Sequence, residues 1–433
     1  MKFPATRART VLVGSAVLAL ALAGCTTTTG DSGSDSSDVF SADDIAAGLS
    51  YSGGTDGVAD DSLDPVKIGF INVEGGVPSF PEATAAAEAA VSLINEHLGG
   101  VDGHPVELAT CNIVSGDEDA LKCAQQFAND PEILSIALGM TVFGTGPIYT
   151  TIGDSKAMIG SGPFNPADLA PEDIYFYAAA AYANGPAVLK YATDYLDAAT
   201  LAAVYDQTDP GATAQAQVLK SLGDGMGVEV NVVPAANSAE WSSALVSAGG
   251  QTADAIMLVA GPTSCAPFAQ AVQQLGVTAP VMAFGFCQDQ AVADALGDFP
   301  KWTYFNPTKS PLGGTDPDAV LFAKAMDHYA DGFSHGGGSA TSFQIVFALV
   351  QAMNGLGYDA LTVEGIREAL ATNPGPAFMG PATLECGFLA EFDAPSLCTT
   401  TSFAMNYEGD GAWVDPTDGA NIDTGDLSFT AAG

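Results

Sequence analysis

Seven cysteines and four histidines carry the most distinctive chemistry in this 433-residue chain. Six of the cysteines fall as pairs close in sequence: Cys111/Cys123, Cys265/Cys287 and Cys386/Cys398. A zinc site wants closer ligand pairs or histidines nearby, and the histidines here are isolated, so no metal is expected. An even cysteine set in an oxidising compartment forms disulfides; nearest-neighbour pairing is the expectation, among many possible connectivities. Catalytic constellations are missing. His335-Gly336-Gly337-Gly338 has the pattern of an oxyanion loop, and the one G-x-S-x-G match, Gly332-Phe333-Ser334-His335-Gly336, overlaps it. That match follows a helical segment and not a strand, so it is not a nucleophile elbow. There is no G-x-x-x-x-G-K-[ST] phosphate loop and no G-x-G-x-x-G after the first strand. The chain therefore reads as a protein that is not an enzyme and needs no cofactor.

The seventh cysteine has a different setting. Lys2, Arg7 and Arg9 form a positive segment, and residues 11–23 are an apolar run too short for a comfortable membrane span. The run ends Leu22-Ala23-Gly24-Cys25, which resembles the bacterial lipobox. Cleavage before Cys25 would free its amine, and its thiol would take the lipid. Residues 1–24 are then a lipoprotein signal peptide, and the chain is expected on the outer face of the cell membrane. No later segment has about 18 uninterrupted apolar residues. The formal charge is −39, from 12 Lys+Arg against 51 Asp+Glu. So acidic a surface repels phosphate backbones, which excludes nucleic acid as a partner.

The elements that would position any site follow an alternating order. Residues 26–64 are rich in Thr, Ser, Gly and Asp and, with the lipidated Cys25, are expected to be a flexible tether. Residues 66–71 are a β-branched apolar run suited to a buried parallel strand. Ser79-Phe80-Pro81-Glu82 fits a capping box, with Ser79 as N-cap, opening an alanine-rich helix that stops at Gly99-Gly100. Strand and helix then alternate to about residue 160. A second series starts at Asn184-Gly185-Pro186 and runs to about residue 284. Repeated βα units imply an α/β protein with two doubly wound parallel sheets. The later segments do not make a third domain, so the chain must recross, giving a hinge of several segments.

These residues resemble the periplasmic-binding-protein type I fold, in particular the branched-chain amino acid (Leu/Ile/Val) binding family of ABC importers. The resemblance spans about residues 66 to 414. It rests on IGFINVEGG…FPEATAAAEAAVSLINEHLGGVDGHPVEL, Gly185-Pro186, the run 255–259 followed by Gly261-Pro262, and Phe378-Met379-Gly380-Pro381. It implies a Venus-flytrap clamp: lobe 1 from residues 66–183 plus 310–373, and lobe 2 from 184–309 plus 374–433. The lobes would close on a small-molecule solute and deliver it to ABC permease subunits, the protein acting as a monomer held by its lipid. A ligand sensor presenting solute to a membrane receptor uses the same clamp, and a hydrolase is the remaining alternative.

Carried over by position, the family's ligand loops fall at 74–80, 141–145 and 162–165, with Tyr182 near the crossover, and at 206–209, 261–264 and 284–289. The expected contacts are Phe80, Thr141, Val142, Phe143, Phe164, Asn165, Tyr182, Asp206, Asp209 and Phe286. The sequence departs from the amino-acid-binding pattern. The usual hydroxyl falls near Val142, flanked by Thr141 and Thr145, the usual tyrosine near Asp209, and the usual acid near Gly285, with Asp289 four positions on. Phe80, Phe143, Phe164, Tyr182 and Phe286 could instead wall an aromatic pocket. An apolar or aromatic solute with one polar end fits as well as an α-amino acid. Asp206 and Asp209 have a second reading as caps of the following helix.

Overall fold

The computed structural model describes residues 39–430. The signal peptide, Cys25 and the tether to residue 38 lie outside them. In chain order the first lobe contains α1 (Ala42–Ser52), β1 (Val66–Val73), α2 (Pro81–His97), β2 (Val106–Ile113), α3 (Asp117–Ala128), β3 (Ile133–Leu138), α4 (Thr145–Ile152), β4 (Ala157–Gly160) and β5 (Ile174–Phe176). Its five strands are all parallel, in the order β2-β1-β3-β4-β5. β1 is buried at all but one position, as a strand covered on both faces must be. Gly69 lies in it because Phe127 of α3 approaches to 2.9 Å of where a Cβ would stand.

The second lobe takes α5 (Ala181–Asp194), β6 (Thr200–Asp206), α6 (Pro210–Met226), β7 (Glu229–Ala235), α7 (Trp241–Ser247), β8 (Ala255–Val259), α8 (Pro262–Gln274), β9 (Val281–Phe284), α9 (Gln290–Leu296) and β10 (Thr303–Asn306). The chain then returns to lobe 1 for α10 (Pro317–Tyr329), α11 (Ser339–Leu356) and α12 (Val363–Ala371). α11 is apolar nearly all round and buried along most of its length, as a helix enclosed by neighbours must be. The alanines of α2 let the two helices approach closely, with Ala83, Ala86, Ala87 and Ala90 fully buried. Finally β11 (Thr401–Gly409), β12 (Ala412–Val414), β13 (Ile422–Asp423) and α13 (Leu427–Thr430) follow. β11 joins the lobe 2 sheet antiparallel to β10, in the order β12-β11-β10-β9-β8-β6-β7, with β13 also on β11.

Three expectations need correction. Residues 39–64 are not a flexible tether: α1 docks on lobe 1. Phe40, only 5% exposed, stacks on Tyr329 and meets His97 and His328 edge-on. Asp44 pairs with Lys324 at 2.5 Å, and Ser41 completes a capping box with Asp44. Second, the last return to lobe 2 does not begin at 374. Phe378, Met379 and Leu384 pack into the core with α10 and α11, and Leu389, Ala394 and Leu397 into the core beneath β5; the crossing falls between Cys398 and Thr401. Third, Ser79 does not cap α2. Phe80 N–H bonds back to Val73 O, so Phe80 becomes the N-cap and Pro81 the first helical residue. Ser79 Oγ instead accepts the Gly75 N–H at 3.0 Å. The nearest-neighbour cysteine pairs are all joined as disulfides: Cys111–Cys123, Cys265–Cys287 and Cys386–Cys398.

Candidate functional site

Parallel sheets bring the carboxyl ends of their strands to one edge, and here the edges of the two sheets line one cleft. Its open space is about 580 Å³, mouth included. Lobe 1 contributes Met140 beyond β3, Ser161 and Phe164 beyond β4, and Gly337 and Thr341 at the start of α11. The first crossing supplies Ala180, Ala181 and Asn184. Lobe 2 supplies Gln215 from α6, the turn Phe284-Gly285-Phe286, and Phe305-Asn306-Pro307 at the second crossing. No charged side chain is among these.

Each wall is held from behind. Buried Asn72, at the end of β1, accepts the Met140 N–H at 3.0 Å and donates to Phe80 O at 2.8 Å and Thr84 Oγ1 at 3.0 Å. One side chain thus ties the loops after β1 and β3 together. Gly338 lacks a side chain because Met140 Cγ would lie 2.2 Å from a Cβ there. Ser161 Oγ donates to Gly139 O at 2.6 Å. Phe286 sits in a short turn whose last residue, Cys287, is bonded to Cys265 of α8, so the disulfide fixes that aromatic wall.

The floor is a relay of carboxamides and hydroxyls. Asn306 Nδ2 donates to Gln288 Oε1 at 2.5 Å, Gln288 Nε2 to Ser310 Oγ at 3.0 Å, and Ser310 Oγ to Leu312 O at 2.8 Å. Ser402 Oγ lies 2.7 Å from Asn184 Oδ1 and 3.2 Å from Asn306 O. Asn184, Asn306, Gln288, Ser310 and Ser402 are all buried.

An acid stands behind the lining at Gly337. Glu82, in the first turn of α2, would be 3.1 Å from a Cβ on Gly337. Burial, helped by the negative charges of Asp289 and Glu74, raises its carboxyl pKa even though the backbone N–H groups of Gly338 and of Glu82 itself bond to it.

Of the ten positions expected to touch solute, Phe164 and Phe286 line the cavity. Phe80, Val142, Phe143 and Tyr182 pack on the lobe 1 core instead. Tyr182 also stacks on Phe429, with centroids 5.9 Å apart, and burial with the nearby Asp168 charge pushes its hydroxyl up to about 12. Thr141 is buried, its N–H donating to Gly139 O. Asn165 N–H donates to the Asp168 carboxylate at 3.0 Å, as Phe164 N–H does at 2.8 Å. Asp206 folds back on its own loop, accepting from Thr208 N at 2.8 Å and from Thr208 Oγ1. Asp209 is exposed and caps α6 through Gly211 N and Ala212 N. The helix-capping reading of the aspartates describes Asp209 well. Among the wall residues missed from sequence, Asn184, Gln215, Asn306 and Thr341 come from helix faces and crossing segments; the local signals there are Asn184-Gly185-Pro186 and, just before Thr341, His335-Gly336-Gly337-Gly338, of which Gly337 lines the cavity. Among the described residues no group of three His, Cys, Asp or Glu is placed to hold a metal ion, and no helix is long and apolar enough to cross a membrane.

Two α/β lobes, whose sheets are parallel except at the β11–β13 edge of lobe 2, with a triple crossing and a cleft at the strand ends, define a bilobal solute-binding architecture. The chain belongs to the periplasmic binding protein family, whose profile matches residues 65–390. Curated protein sequences give no match. Solved structures share the fold at low identity. The ABC transporter substrate-binding protein from Sphaerobacter thermophilus is 16% identical with a TM-score of 0.69, covering 84% of this chain and 100% of its own. The branched-chain amino acid transporter substrate binding protein LivJ from Streptococcus pneumoniae, solved with isoleucine, is 17% identical with a TM-score of 0.62, covering 81% and 98%. The fatty acid ABC transporter substrate-binding protein from Thermomonospora curvata is 18% identical with a TM-score of 0.62, covering 87% and 96%.

Proposed function

We propose that this protein is an extracytoplasmic solute receptor that captures a small molecule between its lobes and delivers it to the permease of an ABC importer. The observation that carries this reading is the cleft itself. It is walled from both lobes and floored by the crossing segments, so a solute seated there bridges both halves and favours the closed clamp. Closure would present a composite surface for a permease to recognise. Relatives in fold that transport branched-chain amino acids or fatty acids support the transport role and leave the solute open. A lipid on Cys25 would hold the protein, as a monomer, on the outer face of the membrane.

A thermal-shift screen of the purified protein against small amino acids, amides, aromatic acids and short fatty acids tests the reading. A ligand that binds only the folded state raises the melting temperature in proportion to the logarithm of its concentration over Kd. A protein that no such molecule stabilises is not a solute receptor of this kind. For the anchor, Cys25→Ser should release the protein from the membrane fraction, and retention there would refute lipidation.

A further inference from the structure

The cleft combines apolar walls with polar groups that carry no charge. Phe164, Phe284, Phe286 and Phe305 supply aromatic surface, and Asn184, Gln215 and Asn306 supply carboxamides. Resting on the solute-receptor reading above, we propose that the cleft selects an uncharged solute: a flat aromatic or compact apolar body ending in a neutral hydrogen-bonding group such as a primary carboxamide.

The direction of the floor relay leads to this class. Ser310 Oγ accepts the Leu312 N–H at 3.3 Å and donates to Leu312 O, so Gln288 must donate to Ser310 and Asn306 must donate to Gln288. Asn306 Oδ1 is therefore an acceptor on the other side of its amide, against Gly285 at the cavity wall, where a Cβ would come within 1.6 Å of it. Asn184 is oriented in the opposite sense. The Ser402 hydroxyl has one proton, and it lies nearer Asn184 Oδ1, at 2.7 Å, than Asn306 O, at 3.2 Å; with Oδ1 so engaged, Nδ2 is left as a donor. Neither Asn306 Oδ1 nor Asn184 Nδ2 bonds to another described residue. One donor and one acceptor, both neutral, complement a group that both accepts and donates, as a carboxamide does.

A charged end fares worse. A solute carboxylate would meet no Lys, Arg or His in the wall and would lie near Glu82 behind Gly337, itself within the fields of Glu74 and Asp289, in a chain of formal charge −39. A solute ammonium would find no carboxylate in the wall, since Glu82 stands behind Gly337 with the Gly338 N–H bonded to it. Burying either charge unpaired is costly. A zwitterionic amino acid meets both difficulties.

Matched sets on one skeleton test this with the full mature protein: benzamide, benzoate and benzylamine; isobutyramide, isobutyrate and isobutylamine; and, as zwitterions, leucine and phenylalanine. Thermal shift ranks them and calorimetry measures them. Each amide is expected to bind at least about 30-fold tighter than its charged counterparts, with affinity flat between about pH 6 and 9, where neither ring nor amide titrates. A carboxylate, an amine or an amino acid that equals the amides overturns the neutral-solute inference and leaves the receptor reading standing. Silence across the whole panel removes both. As a second arm, Gln215→Glu places a negative charge on the partly exposed face of α6, where folding tolerates it. It should lower the benzamide-to-benzylamine affinity ratio at least about 10-fold. An unchanged ratio would show that the cavity does not sense charge at this wall and would count against the inference.

Discussion

Ser402 Oγ stands 2.7 Å from Asn184 Oδ1, joining the strand of the third crossing to the helix of the first. The same oxygen is 3.2 Å from Asn306 O in the second crossing. All three passages of the chain between lobes therefore meet at one hydroxyl, directly beneath the cavity that Asn184 and Asn306 line. A bond on the axis of a hinge changes little in length as the lobes rotate, so this cluster can hold through opening and closing. In the proposed clamp motion the floor of the cleft would then stay fixed while its walls move.

Ser402→Ala tests that role. It leaves Asn184 Oδ1 buried without its donor, which should cost about 1–3 kcal/mol of stability. Urea unfolding at neutral pH should show a lower midpoint with an unchanged slope. If the loss is below about 0.5 kcal/mol, the hydroxyl is not what joins the crossings.

The Cys265–Cys287 bond closes a loop of 22 residues and carries Phe286 at its edge. Replacing both cysteines by serine should lower stability by about 3 kcal/mol on the chain-entropy account. Solute affinity should fall as well, because the turn holding Phe286 is released. Parallel melts and titrations of the variant would contradict this assignment if stability dropped while affinity did not.

Phe40→Ala addresses the docked N-terminal helix. Truncating a buried phenylalanine costs about 3–5 kcal/mol where the surroundings cannot collapse, and here the loss should appear locally, as release of α1 from α10 and α11. Limited proteolysis should find new cleavage between residues 39 and 58 while the main melting transition persists. A single lowered transition with no new cleavage would mean that α1 is integral to lobe 1 folding.

The fold was legible where periodicity was strong. The run beginning at Val66 and the alanine-rich helix after it carry their burial in their own composition, and the βα alternation does the rest. The sequence marks no more than a transient helical turn at Asp43–Leu49, and the docking of α1 is not legible because ADDIAAGLSYS has few large apolar residues; that docking depends on Phe40 just before it and on the Asp44–Lys324 pair, 280 residues apart in sequence. The third crossing is not marked in the sequence because residues 374–398 hold turns and one short 3-10 helix at Ala390–Phe392, and it is Phe378 and Leu397 meeting distant cores that assigns them to lobe 1. The site was the least legible part. Positions carried over from a family assume that its loops keep their lengths and its residues their roles. Here Asp209 caps a helix and Phe80 packs inward, while Asn306 is held at the cavity by a relay with no sequence pattern.

Gly285→Ala probes the wall directly. The added methyl would fall 1.6 Å from Asn306 Oδ1, so Asn306 must move and its bond to Gln288 must break. Overpacking of this kind costs about 1–3 kcal/mol, and affinity for the best solute of the thermal-shift screen should drop at least about 10-fold. Calorimetry showing native affinity would mean that the cavity adjusts without using Asn306.

Glu82→Gln reads the acid behind Gly337 through pH. Burial, with Asp289 and Glu74 nearby, raises the Glu82 carboxyl pKa above its ordinary value, so the folded chain holds that proton more readily than the unfolded chain does. Where the group is charged in both states, folding therefore carries a penalty; this is complete above the folded-state pKa and is relieved as pH falls through it. Glutamine keeps an oxygen to accept the Gly338 N–H and carries no charge. The variant should melt about 1–2 °C higher than the native protein at pH 7, and the gap should close as pH falls toward and below the ordinary glutamate value of about 4.3. Because Asp289 belongs to lobe 2 and Glu82 to lobe 1, the same substitution should also favour the closed clamp at neutral pH, tightening solute binding by a small factor that vanishes in acid. Paired melting and titration curves across that range check both effects. A gap that widens in acid would reverse the sign of the argument and show that the charge on Glu82 stabilises the clamp.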